Sequence, residues 1–165
     1  VTQIRFSVDG RPATAGSKRA FPFAGKDGRL HVAVSDNSGE RGKSWRALLV
    51  DAARRAYVGP PLDGPLVLDV TFRFDRPRAH YGWKKSRPYV KQGAPDYPAV
   101  KPDATKLLRA VEDALNGVLW ADDARIVVQR ARKVYATSPG VDVALSLAAR
   151  PGDGATYLTL EAAGA

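Results

Sequence analysis

The chain has 165 residues, with 26 Lys and Arg against 17 Asp and Glu, a formal net charge of +9 and no cysteine. That length buries a core without staples, and the missing cysteines exclude thiol catalysis, disulfides and Cys-ligated zinc and fit a reducing interior. His31 and His80, the two histidines, form no zinc-like cluster; no apolar run is long enough to span a membrane and no basic-then-apolar start marks export, so a soluble, unexported protein with a polyanionic partner is expected.

Ile4, Phe6 and Val8 alternate with Arg5 and Ser7 and predict a first strand ending at Asp9-Gly10. The stretch to Gly28, with Gly16, Pro22 and Gly25, is expected to be a basic mobile loop whose Lys18 and Arg19 contact a DNA phosphate or are simply solvated. Its Gly16-Ser17-Lys18 lacks the spacing of a phosphate-binding loop, which argues against nucleotide hydrolysis. Leu30, Val32 and Val34 predict a second strand, with His31 on its polar face. From Gly39 to Tyr57, Trp45, Leu48, Leu49, Ala52 and Ala56 recur at helical intervals beside a basic face, so a helix should pack Trp45 on a sheet. After Gly59-Pro60-Pro61, Leu66, Leu68, Val70, Phe72 and Phe74 share one face of a strand whose other face carries Asp69, Thr71 and Arg73, as suits a sheet covered on one side.

No periodic element is expected from Asp75 to Val100. That segment mixes Lys84, Lys85 and Arg87 with Tyr81, Trp83 and Tyr89, a composition that suits nucleic acid: cations neutralise phosphates and rings stack on unpaired bases. Lys101-Pro102-Asp103 then opens a helix with Leu107, Leu108, Val111, Ala114 and Leu115 on its apolar face, Asp103 as N-cap and Asn116-Gly117 as its end. Asp122-Asp123 follows Trp120 and leads into a strand through Ile126, Val127 and Val128. Further strands are expected over 141–147 and around Tyr157 to Leu160. The fold class that follows is α+β: one domain over residues 1–165, a mixed, mainly antiparallel sheet packed against two principal helices.

Taken singly, Asp103 is a helix cap and Asp122-Asp123 a solvated turn. If the helix packs back across the strand, however, the three carboxylates approach, and a divalent cation offsets their repulsion. The compound pattern K-P-D-x-x-K-L-x-R-A-x-x-D-A-L-N-G-x-x-W-x-D-D-x-x-I-V resembles the signature of the RusA family of Holliday junction resolvases, and residues 12–21, PATAGSKRAF, resemble the segment after the first strand in actinobacterial and phage relatives. The resemblance implies a RusA-like endonuclease domain with Asp103, Asp122 and Asp123 as catalytic metal ligands, Asp122 being either a ligand or a group that orients one. It implies Mg²⁺ as cofactor, with Mn²⁺ as substitute. Where the family has a second acid and a lysine, this chain has Thr105 and Arg109; Arg109 is read as a phosphate contact, or as ordinary surface charge, that does not titrate as a base. Glu112, seven residues after Thr105 on the same helical face, is the candidate to replace the lost acid.

Two functions are therefore carried. One is a Mg²⁺-dependent endonuclease that nicks four-way or branched DNA in recombination and repair as a homodimer, in the cytoplasm of a bacterial or phage-infected cell and away from membranes. Its phosphate contacts are Lys18, Arg19, Lys84, Lys85, Arg87 and Lys101. The other is a junction-binding relative whose cleavage is impaired by Thr105. A basic RNA-binding module ranks below both, because it leaves the acidic residues unexplained.

Overall fold

The strand over Leu66–Asp75 (here β4) organises the sheet, because its alternation puts Leu66, Leu68, Val70 and Phe72 at full burial on one face and leaves Val67, Asp69, Thr71 and Arg73 half-buried on the other. A computed structural model describes residues 3–14, 18–24, 29–36 and 39–149. In chain order the elements are β1 (Gln3–Asp9), β2 (Lys18–Ala24), β3 (Leu30–Asp36), α1 (Gly39–Ala56), β4, β5 (Tyr81–Lys84), β6 (Arg87–Val90), α2 (Ala104–Leu115), β7 (Ile126–Ala136) and β8 (Gly140–Leu147). The main sheet has the order β1-β8-β4-β7. Its β1–β8 and β8–β4 pairs are antiparallel and its β4–β7 pair is parallel, so the sheet is mixed and mainly antiparallel as the patterning implies.

Both helices lie on the apolar face. α1 buries Trp45, Leu49, Ala52 and Ala53, and α2 buries Leu107, Leu108, Val111, Ala114 and Leu115 against them and the sheet. The α1 stripe is narrower than its sequence suggests, since Leu48 is 47% exposed. The opposite face of the sheet stays polar: Arg132 reaches Asp69 at 2.9 Å, Arg73 reaches Asp9 at 3.1 Å, and Ser7 donates to Asp142 at 2.8 Å. Where three strands meet, a Cβ on Gly140 would lie 2.5 Å from the Val8 carbonyl and from the Arg73 guanidinium, so only glycine fits.

Two segments differ from expectation. Residues 18–24 are a strand, paired antiparallel with β3 from Lys18↔Asp36 to Ala24↔Leu30, and not a loop. Residues 81–90 form a second hairpin, rooted by the Lys91 amide on the His80 carbonyl at 2.9 Å. At that root the Arg76 guanidinium sits 4.4 Å from the Tyr135 ring centre, and His80 meets the same ring edge-on at 5.6 Å. The strand expected around residues 157–160 lies outside the described residues.

The parallel pairing of β4 and β7 has a consequence for the site. Leu66 pairs with Ile126 and Asp75 with Ala136, so the chain leaving β4 must travel back along the whole sheet before β7 begins. That return is made by the β5–β6 hairpin and α2.

Candidate functional site

The acidic pair is built from the end of α2. Gly117 takes φ +74, and Val118 and Leu119 donate to the Leu115 carbonyl, each at 2.9 Å, closing the helix at Asn116-Gly117 as expected; of the two, Gly117 alone is left-handed, Asn116 standing at φ −59. The chain then turns inward. Leu119 and Trp120 are fully buried, and Leu62 clasps them from outside, its amide 2.8 Å from the Leu119 carbonyl. With the indole fixed in the core, Trp120 Nε1 donates to Asp123 Oδ1 at 2.8 Å. Asp122 caps the short 3-10 turn Asp123–Arg125 by accepting from the Ala124 amide at 2.7 Å, and Arg125 pairs with Asp63 at 2.8 Å. Each aspartate thus spends one carboxylate oxygen on the protein and leaves the other without a protein donor among the described residues.

On the solvent side of α2, Thr105 and Arg109 are exposed and Glu112 is half-buried. Gln129 of β7 donates to the Glu112 carboxylate. Burial pushes the Glu112 carboxyl above the usual glutamate range; the negative charges of Asp123 and Asp113 push it further, against the opposing pull of Arg109 and the Gln129 bond. Asp123 and Glu112 therefore share one electrostatic neighbourhood.

Asp103 stands elsewhere. It occupies the N-cap position of α2 with extended backbone but makes no capping hydrogen bond, and its carboxylate meets Lys106 at 3.5 Å instead. Lys133 of β7 donates to the carbonyls of Val100 at 2.6 Å and Pro102 at 3.0 Å, and so holds the Lys101-Pro102-Asp103 approach, which contains a cis Lys101-Pro102 bond, against the sheet. Since Lys133 meets the start of α2 and Gln129 meets Glu112, the helix runs antiparallel to β7. Nine residues, about 13.5 Å of helix axis, separate Asp103 from Glu112. Among the described residues no three carboxylate or imidazole side chains are grouped to cage a cation. The donor set nevertheless fits Mg²⁺, which binds through one or two carboxylates and completes its octahedron with water and substrate phosphate.

The remaining expected contacts divide by location. Lys84, Lys85 and Arg87 crowd the tip of the β5–β6 hairpin, all exposed. Lys101 is exposed beside Asp103. Lys18 and Arg19 lie on β2, with their side chains outside the described residues. Sequence reasoning missed three supporting side chains, Trp120, Gln129 and Lys133. The Trp-x-x-Asp spacing was the available signal for the first; the other two needed the helix-on-strand register.

Comparison with known proteins bears on the whole arrangement. Over 140 residues, 85% of this chain and 93% of the relative, the sequence is 28% identical to Uncharacterized protein YqaN of Bacillus subtilis (strain 168). No helix among the described residues is long and apolar enough to cross a membrane. The family model for endodeoxyribonuclease RusA matches residues 24–146, which takes in α1, the hairpin, α2, the acidic turn and nearly all of the main sheet beyond β1; with those elements now placed, the chain belongs to the RusA endodeoxyribonuclease family.

Proposed function

We propose that the protein is a Mg²⁺-dependent, structure-selective endodeoxyribonuclease that resolves Holliday junctions by hydrolysing phosphodiester bonds during recombination and repair. The observation that carries this reading is the Asp122-Asp123 turn, fixed by a core tryptophan and sharing an electrostatic neighbourhood with Glu112, on a strongly basic chain. Asp123 and Asp122 would hold the metal, each offering one uncommitted oxygen, and Asp103 would join them as a third ligand only if the start of α2 moves toward the acidic turn. When bound, Mg²⁺ lowers the pKa of an attacking water and offsets the charge developing on the phosphate; Mn²⁺ serves as a substitute. Arg109 contributes a guanidinium whose planar fork engages phosphate oxygens in pairs. Lys84, Lys85, Arg87 and Lys101, with Lys18 and Arg19, bind the DNA backbone. A homodimer supplies the two active sites that symmetric resolution requires, and the cytoplasm of a bacterial or phage-infected cell is the expected setting.

A second reading, a junction-binding relative with impaired cleavage, is favoured by one feature: Thr105 offers no anionic oxygen on the helix face beside Arg109. Incubation of the protein with a synthetic four-way junction, with Mg²⁺ and with chelator, distinguishes them. Nicking confined to the Mg²⁺ arm supports the nuclease; tight binding without nicks selects the second reading; absence of junction binding removes both.

A further inference from the structure

The β5–β6 hairpin is costly in a way its own fold does not explain. It is a separate two-stranded sheet, and a ribbon of this kind is only marginally stable by itself. Lys84 pairs directly with Arg87, so two cations face each other across the strands with Lys85 between them, an arrangement that opposes hairpin formation. None of the three has an ion-pair partner among the described residues. The turn residues Lys85 and Ser86 take φ +47 and +63, the left-handed region, without glycine at either position.

Its apolar side chains are equally unprotected. Of the three tryptophans, Trp45 and Trp120 are buried, while Trp83 is 67% exposed. Because side chains alternate across a strand, Trp83 with its partner Pro88 lies on one face of the ribbon and Tyr89 with its partner Gly82 on the other. The Tyr89 ring lies across the strand in the space Gly82 leaves open, where a Cβ would lie 2.5 Å from the ring and push it aside. Tyr89, Pro88 and the three cations line an open concavity of about 520 Å³. The hairpin is therefore a thin blade with an aromatic ring on each face and positive charge at its tip.

We propose that this blade enters the branch point of a DNA junction, Trp83 and Tyr89 stacking on the base-pair ends that the open centre exposes, while Lys84, Lys85 and Arg87 engage the phosphates that converge there. The interior of a duplex offers phosphates but no free base-pair face; a branch point offers both, which makes the hairpin the element that distinguishes branched DNA from continuous duplex. The inference rests on the branched-DNA reading above and goes beyond it by naming the recognition element.

The test measures affinity of the full chain for a four-way junction, for a duplex of the same sequence and for a single strand, using wild type, Trp83→Ala and Trp83→Phe, with 2-aminopurine placed at the branch point. Trp83→Ala is expected to lose about tenfold in junction affinity, within the range one base–aromatic stack supports, and to abolish the 2-aminopurine signal. Duplex affinity and melting temperature should stay unchanged, and Trp83→Phe should restore most of the loss. Full junction preference in Trp83→Ala overturns the inference and leaves the nuclease reading standing. An equal loss on single strands also overturns it, assigning Trp83 to general single-strand binding. A wild type that binds junction and duplex alike removes the reading beneath it.

Discussion

At the scale of single residues the carboxylates have separable jobs. Asp123→Asn keeps an oxygen for Trp120 Nε1 but removes the charge a hard cation needs, so nicking should fall by a factor of about 100 or more while melting temperature and junction binding persist. Loss of folding and binding together would make Asp123 structural. Asp103→Asn should behave alike, and because Asp103 makes no capping bond the substitution costs no cap. Thr105→Asp tests the ridge beside Arg109: an added carboxylate should lower the Mg²⁺ concentration needed for half-maximal nicking, with Glu112→Gln nearly silent. If Glu112 is the working acid, Glu112→Gln slows nicking and Thr105→Asp crowds the site with charge. Metal titrations of both variants decide. Glu112 also carries a pH signature. Its carboxyl holds a proton more tightly folded than unfolded, so its ionisation opposes folding above its raised pKa and has no effect below the unfolded value. In metal-free buffer Glu112→Gln should therefore melt higher than wild type at pH 7, and the gap should close as pH falls through the glutamate range. A gap that widens on acidification would contradict the burial of this group.

At the scale of elements, what periodicity can express was legible and what depends on partners was not. β1, β4, β8 and both helices each bury one face, and their alternation or helical spacing shows it. The β5–β6 hairpin buries neither face, spans four residues a side, includes Pro88 and turns through Lys-Ser where hairpins usually carry Asn-Gly, so no pattern announced it. β2 was hidden likewise, by Pro22 and flanking glycines in a basic stretch. In the site, the acidic turn was visible as a motif, whereas the meeting of Asp123 with Glu112 depends on the register of α2 on β7, set by contacts between residues far apart in sequence. The hairpin yields its own prediction. Neutralising Lys84, Lys85 and Arg87 together should weaken junction binding and reduce the slope of log affinity against log salt by about 2 to 3, since each phosphate contact releases nearly one counterion. An unchanged slope would remove all three from the interface.

At the scale of the molecule, charge and topology act together. The excess of nine positive charges draws the whole surface toward nucleic acid, but the fold decides what is presented. Both the blade and the acidic turn belong to the single return path between β4 and β7. The hairpin tip is also the place where a trypsin-like protease meets three exposed cations in four residues. A cut after Lys85 divides the chain into a piece holding β1, α1 and β4 and a piece holding α2, β7 and β8. In the sheet order β1-β8-β4-β7 these alternate, so every strand pairing within the main sheet, and the packing of α1 on α2, joins one piece to the other. Brief digestion should thus give two bands on a denaturing gel and one undivided particle in gel filtration. Neither piece holds two neighbouring strands of the main sheet, so the halves expressed apart should each be unfolded and should recover the fold only when mixed: the interleaving makes this chain a natural split protein.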